Sequence, residues 1–236
     1  MAVAVLMPVF DEVAALRRTL AGLRDVAAEL GGVTVFLVDD GSEIPVAPDA
    51  LPPPTPSFRI VVARHGVNLG QGAAIETARQ IALADGDFAA YVTMDSDGQH
   101  GAEDAVALAR AVEGGADVAF GNRFLGGSRV PFVRAIVLAA ARTFERHLTG
   151  LRLADAHNGL RAFSRRALER VPIRQNRMAH ATEIKQRVAR AGPLAVVEVP
   201  VTVRYTAETL AKGQSSLGAV VILRDLAQQY LFGEAE

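Results

Sequence analysis

"YVTMDSDGQH", residues 91–100, begins as a buried strand and ends in two carboxylates, Asp95 and Asp97, with a turn immediately after at Gly98. Its first half is apolar without alternation, the pattern of a strand covered on both faces, which is how parallel sheets read in sequence. Residues 3–9, 33–38, 59–63 and 117–120 read the same way. Helical patterns with apolar positions three and four apart fill the intervals at 13–30, 72–84 and 102–113. This succession predicts an α/β fold with a mostly parallel central sheet.

The composition sets limits on function. At 236 residues and 50% hydrophobic the chain can bury a sizeable core, so we expect one domain over residues 1–210 with a helical extension over 211–236. The net charge of −1 gives no bulk reason to bind nucleic acid, and no nucleic-acid partner is expected. The absence of cysteine excludes disulfides, thiolate nucleophiles and cysteine-held metals. "MAVAVLMPVF" lacks a basic leader and reads as a strand, not a signal peptide. The longest apolar helical stretch, 132–144, carries Arg134 and Arg142 and is too short and too charged to span a bilayer. A cytoplasmic protein, soluble or peripheral at the membrane face, is the expectation.

Between the second and third strands, residues 43–58 hold six prolines and must form a surface loop. The second half of the chain differs in kind. Residues 131–150, "PFVRAIVLAAARTFERHLTG", set an apolar face against Arg134, Arg142, Arg146 and His147. This is either an ordinary surface helix or a basic amphipathic helix lying on an anionic membrane or lipid phosphate. There follow a short strand at "GLRAF", a helix over 181–191, a strand pair in "LAVVEVPVTVRY" broken at Pro200, and a final helix over 216–231.

In open parallel sheets ligands bind outside the carboxyl ends of the strands. Those ends are acidic and turn-rich here: "MPVFDE", "VDDGS", "MDSDGQH" and "FGNRF". Residues two apart in an extended segment point to the same side, roughly 6–7 Å apart, so Asp95 and Asp97 can lean on one ligand. With Gln99 one step further they are hard oxygen donors suited to Mg²⁺ or Mn²⁺, leaving positions for substrate oxygens. Asp95-Ser96-Asp97-Gly98 also reads as a strand-to-turn cap, and His100 reads as a solvated turn histidine. "VDDGS" is either an acceptor for a nucleobase or ribose, or a turn. "HGVNLGQGAAIETA", 65–78, leads into a helix whose first N–H groups could receive an anion. It follows the third strand, not the first, which argues against a dinucleotide fingerprint.

In this order, "LMPVFDE", "VDDGS", "NLGQGAAIETA", "MDSDGQH", "GNRF", "DAHNGLRAF", "EVPVTVRY" and "KGQSS" resemble the family 2 glycosyltransferases of the GT-A fold, and most closely their dolichol-phosphate mannose synthase-like branch of polyprenyl-phosphate sugar transferases. The resemblance implies a Rossmann-like three-layer sandwich and a nucleotide-diphosphate sugar as donor. Pro8, Phe10 and Glu12 would lie beside the nucleoside and Asp40 would reach the base. Gly70, Gln71, Asp95 and Lys212 would complete the donor site. Asp95, Asp97 and Gln99 would hold Mg²⁺ or Mn²⁺ on the diphosphate, and Arg123 would face the phosphates. Gln71 stands where the family often has a basic residue, Asp11 where asparagine is usual, and Leu210 where an arginine is common.

The implied reaction is an inverting displacement at the anomeric carbon. A lipid phosphate acceptor is already anionic and needs positive guides, here Arg129 and Arg134 with Ser215, and little base catalysis. A saccharide hydroxyl must lose a proton and needs a positioned carboxylate, for which Asp155 and Glu183 are the candidates. A nucleotidyltransferase would want a glycine-rich basic loop straight after the first strand, where "MPVFDEVAAL" offers none. A catalytically silent sugar-nucleotide binding module is the third reading.

Overall fold

The computed structural model describes residues 2–125, 153, 155, 158–177 and 179–204. Arg129, Arg134, Lys212 and Ser215, and the helices expected over 131–150 and 216–231, lie outside the described residues. Seven strands form one sheet: β1 (Val3–Val9), β2 (Val33–Asp39), β3 (Phe58–Arg64), β4 (Ala90–Thr93), β5 (Val118–Asn122), β6 (Arg161–Phe163) and β7 (Val196–Pro200), in the order β3-β2-β1-β4-β6-β5-β7. The described helices are α1 (Val13–Val26), α2 (Gln71–Asp85), α3 (Ala102–Glu113), α4 (Arg165–Glu169) and α5 (His180–Arg190).

The unbroken hydrophobicity of β1 and β2 has the expected cause, since every residue of both strands is buried. Val3, Val5, Met7 and Val9 face one way and pack with Leu16, Leu20 and Leu23 of α1 and Ala105, Leu108 and Ala109 of α3. Ala4 and Leu6 face the other way, with Ala74, Ile75 and Ala78 of α2 and Ile184 of α5. Period-two alternation between two apolar layers makes the three-layer sandwich.

All strand pairs are parallel except those of β6, which runs antiparallel between β4 and β5. The ends of β1, β2 and β4 are therefore true neighbours, while "FGNRF" at the end of β5 is set one strand away. The expected first helix is shorter, ending at Val26, because Gly32 N–H closes back on Ala27 O at 2.9 Å and turns the chain into β2. The five-residue α4 had no periodic signal and is held by its cap, with Ser164 Oγ accepting from Ala167 N. The second strand expected after Pro200 reduces to a bridge between Val203 and His100. The proline segment is a surface loop anchored inward, with Ala50 buried and Val46 and Leu51 packed on the core. No described helix is long and apolar enough to cross a membrane.

Candidate active site

The carboxyl ends of β2, β1 and β4 open into one cleft of about 540 Å³. Pro8, Phe10 and Glu12 line it from β1, Asp40 from β2, Gly70 and Gln71 from the start of α2, and Asp95, Ser96 and Asp97 from β4. Seven of the residues expected around the donor thus share one wall system. Asn68 and Arg177 complete it, and neither was anticipated.

Asp11 carries the turn at the end of β1 with φ of 52°, the one described non-glycine residue in that region. Its Oδ1 accepts Glu43 N at 2.9 Å and its own N–H donates to Ser42 Oγ. Aspartate and asparagine both tolerate this conformation and both offer the accepting oxygen, so the departure from asparagine is structurally conservative.

The two acids of "VDDGS" are absorbed into the fold. Asp39 accepts Ser42 N at 2.9 Å and Val46 N at 3.2 Å, with Arg64 at 3.5 Å. Burial works against its charge, but Ser42, Val46 and Arg64 outweigh it and hold the carboxyl below its ordinary pKa. Asp40 Oδ1 accepts His65 Nδ1 at 2.7 Å and Leu69 N at 3.0 Å, and Oδ2 accepts Gly70 N at 2.7 Å. A carboxylate only accepts, so His65 donates through Nδ1 and its Nε2 meets Thr77 Oγ1 at 2.9 Å. Asp40 thereby moors the glycine-rich loop to the end of β2.

That loop does not present a bare helix terminus to an anion, contrary to the expectation. The N–H groups of Gly72 and Ala73 donate to Asn176 O, at 2.8 and 3.4 Å. A backbone segment lies across the glycines: a Cβ on Gly72 would sit 2.0 Å from Gln175 O, and one on Gly70 2.3 Å from Asn176 O. Close chain approach, together with φ of 107° at Gly70, accounts for these glycines.

Asp95 has the opposite surroundings. Gln71 Nε2 donates to its Oδ1 at 2.7 Å. Burial and the Asp97 carboxylate, with a smaller push from Glu12, raise its pKa to about 6 against the pull of Arg161 and the Gln71 amide. Ser96 Oγ donates to Glu12 Oε2 at 3.2 Å, and Thr19 Oγ1 of α1 donates to Ser96 O, so a helix helps hold the acids together. Asp97 Oδ1 accepts Gln99 N at 2.9 Å, so the turn cap and the acidic pair coexist.

Gly159 completes the Asp95 pocket. β4 and β6 pair Thr93 with Arg161, and two residues further along that antiparallel register Gly159 comes opposite Asp95. A Cβ there would lie 2.4 Å from Asp95 Oδ2. Arg161 is 2% exposed and supplies the buried cation that tempers Asp95. The sequence quoted both residues within "DAHNGLRAF" but carried no sign of which strand they would face.

The donor set fits a hard divalent cation. Mutually repelling carboxylates in a half-buried site are what such an ion relieves. No group of three His, Asp or Glu side chains able to hold a metal forms among the described residues, so an ion held by Asp95 and Asp97 would need further ligands from water or substrate. Gln99 is not among the residues that line the cleft; its N–H donates to Asp97 Oδ1 and its carbonyl accepts Arg204 N. His100 is buried, not solvated, and burial followed by Arg123 lowers its pKa to about 4.

The remaining expected residues that are described, Asp155, Arg123 and Glu183, are not among those that line the cleft. Asp155 is 2% exposed, and its Oδ2 accepts Arg123 Nε at 2.7 Å and Arg123 N at 3.0 Å. Arg123 is turned into this pair and is not among the described cleft-lining residues, since antiparallel β6 displaces the end of β5 from the neighbouring strand ends. Glu183 accepts Arg174 N, Gln175 N and Arg187 Nε at 2.8–3.1 Å, so its carboxylate clamps the chain that crosses the glycine loop.

Comparison with known proteins agrees with this geometry. The sequence profile described as Glycosyl transferase family 2 matches residues 4–171. The chain belongs to glycosyltransferase family 2. This glycosyltransferase is 32% identical over 178 residues to the polyprenol monophosphomannose synthase of Mycolicibacterium smegmatis, covering 72% of this chain and 66% of that one. It is 29% identical over 226 residues to the undecaprenyl-phosphate mannosyltransferase of Micrococcus luteus, covering 93% and 90%. In structure it is similar to the glucosyl-3-phosphoglycerate synthase of Mycobacterium tuberculosis in complex with Mn²⁺, uridine diphosphate and phosphoglyceric acid. The TM-score is 0.62 at 16% identity, covering 95% of this chain and 78% of that one. At that identity the likeness establishes the GT-A fold.

Proposed function

We propose that this glycosyltransferase moves a sugar from a nucleotide-diphosphate sugar to a polyprenyl phosphate, with inversion at the anomeric carbon. The observation that carries the reading is the acid cluster of Asp95, Asp97 and Glu12 at the floor of a cleft formed by three parallel strand ends. Pro8 and Phe10 would hold the nucleoside, beside Asp40, which moors the glycine-rich loop that walls the cleft. Asp95 and Asp97 would hold Mg²⁺ or Mn²⁺, which when bound offsets the negative charge of the departing diphosphate. Gln71 keeps the Asp95 carboxylate oriented through its amide.

The choice of acceptor rests on what the two candidate bases are doing. A sugar hydroxyl needs a carboxylate that can reach it and take its proton. Asp155 is buried in an ion pair with Arg123, and Glu183 is spent on backbone donors. A phosphate acceptor needs no such base. The names of the Mycolicibacterium smegmatis and Micrococcus luteus relatives support the same acceptor class. Such an acceptor would bring the protein to a membrane surface on the cytoplasmic side.

The test is transfer by purified protein from radiolabelled UDP- and GDP-sugars to polyprenyl phosphate in detergent with Mn²⁺. Label extracted into organic solvent is expected. Label found only in water-soluble saccharide would sink the lipid acceptor and favour a polysaccharide hydroxyl.

A further inference from the structure

We infer that Arg177 is a binding residue for the donor's diphosphate, delivered to the cleft by a backbone segment that the rest of the fold holds rigid. The inference rests on the donor reading above and adds to it a residue that no motif marked. Arg177 is the one cation among the described residues lining the cleft, whose other charged walls are Glu12, Asp40, Asp95 and Asp97. It lines the same cleft as these acids, yet its exposed side chain forms no ion pair or hydrogen bond among the described residues. Arginines elsewhere on this surface are commonly paired: Arg59 with Asp85, Arg110 with Glu29, Arg165 with Asp87 and Glu169. A guanidinium with no partner among the described residues, at an acidic cleft, is matched to a ligand that is itself anionic, and its planar fork suits phosphate oxygens.

The backbone that carries it is anchored at each step. Ile173 N donates to Glu76 Oε2 at 2.8 Å, Arg174 N and Gln175 N to Glu183, and Asn176 O accepts Gly72 N. Arg177 O accepts His180 N at 3.0 Å and His180 Nδ1 at 2.8 Å. A carbonyl only accepts, so His180 must hold its proton on Nδ1. The side-chain stem then crosses Gly70, where an added Cβ would lie 3.0 Å from Arg177 Cγ and 2.3 Å from Asn176 O. The next residue, Gln71, reaches Asp95. Gly70 therefore opens the path by which a cation from the far side of the loop arrives beside the acidic floor.

The experiment is calorimetric titration of the whole chain with UDP and with GDP, each with Mn²⁺, and in parallel with uridine and guanosine. For whichever diphosphate the wild type binds, Arg177→Ala is expected to lose about 10- to 100-fold in affinity, while the nucleoside binds unchanged. Arg177→Lys should fall between, keeping the charge without the fork. Melting temperature without ligand controls for folding and should match wild type, because the side chain is exposed and has no partner among the described residues. Diphosphate affinity within twofold of wild type in the alanine variant, or an equal loss for the nucleoside, overturns the assignment. Failure of the wild type to bind either diphosphate instead sinks the donor reading, and this inference with it.

Discussion

Asp39–Asp40 and Asp95–Asp97 end the two strands that flank β1 in one sheet and are spelled almost alike, yet the fold treats them oppositely. The first pair is saturated by the protein itself, with backbone N–H groups, His65 and Arg64 around the carboxylates. Within the second pair, Asp95 is crowded by Asp97 and Glu12 and its proton affinity is raised. The Asp39 carboxyl, lowered in pKa by its partners, is used by the fold, whereas Asp95, raised by burial and by Asp97, is held against the fold's interest in a cleft open to a ligand. Sequence spelling alone does not separate the two cases.

The largest expected effect breaks the functional half of this contrast. Asp97→Asn keeps the oxygen that caps Gln99 N, so the turn and the melting temperature should survive. Transfer should fall by about 10³-fold, because a charge that counters the developing diphosphate anion is lost with its cation. Steady-state assays across Mn²⁺ concentrations check this, and retained turnover would remove Asp97 from the reaction.

Asp40→Ala tests the structural half. It strands Leu69 N, Gly70 N and His65 Nδ1 without their acceptor. We expect a loss of about 3 kcal/mol in urea unfolding, seen as a fall of roughly 6–12 °C in melting temperature. An unchanged melting temperature would mean that Asp40 is held for ligand alone and that the contrast is false.

The fold was legible because burial on both faces leaves a strong mark: β1, β2 and the three long helices follow from apolar continuity and period. The acid-bearing strand ends were legible for the same reason, since charge at the end of an apolar run stands out. What escaped were pairings between distant segments. Nothing in one dimension says that the three-residue β6 runs antiparallel and lays Gly159 on Asp95, or that Asn176 rather than an anion caps α2. Asp155 and Glu183 were chosen by residue type, and their engagement with Arg123 and with the 174–175 backbone depends on contacts that only folding supplies.

A smaller effect of opposite sign is expected at Asp95. In metal-free buffer at pH 7, Asp95→Asn removes the charge that burial and Asp97 oppose, while its carbonyl can still accept from Gln71. The variant should unfold about 1–2 kcal/mol later than wild type, less than the full shift implies because the site is partly solvated. Mn²⁺ should raise the melting temperature of the wild type and leave that of the variant nearly unmoved. A variant less stable than wild type without metal would show that the acids are not in conflict.

The smallest effect compares the same exchange at Asp39, where the sign reverses. The folded-state pKa of Asp39 is lowered from 3.8, because Ser42, Val46 and Arg64 together outweigh the cost of burial. A carboxyl with a depressed pKa contributes stability that is fully present above the unfolded value and is lost as pH falls through the folded one. Asparagine does not titrate, and its amide would face Val46 N–H and Arg64, donor against donor. Asp39→Asn should therefore cost about 1 kcal/mol at pH 7. The gap to wild type should hold steady down to about pH 4 and close below it, as the wild-type carboxyl itself becomes protonated. Urea unfolding at pH 7, 5, 4 and 3 reads this directly. A gap that widens on acidification would place Asp39 with Asp95, among the acids the fold does not need.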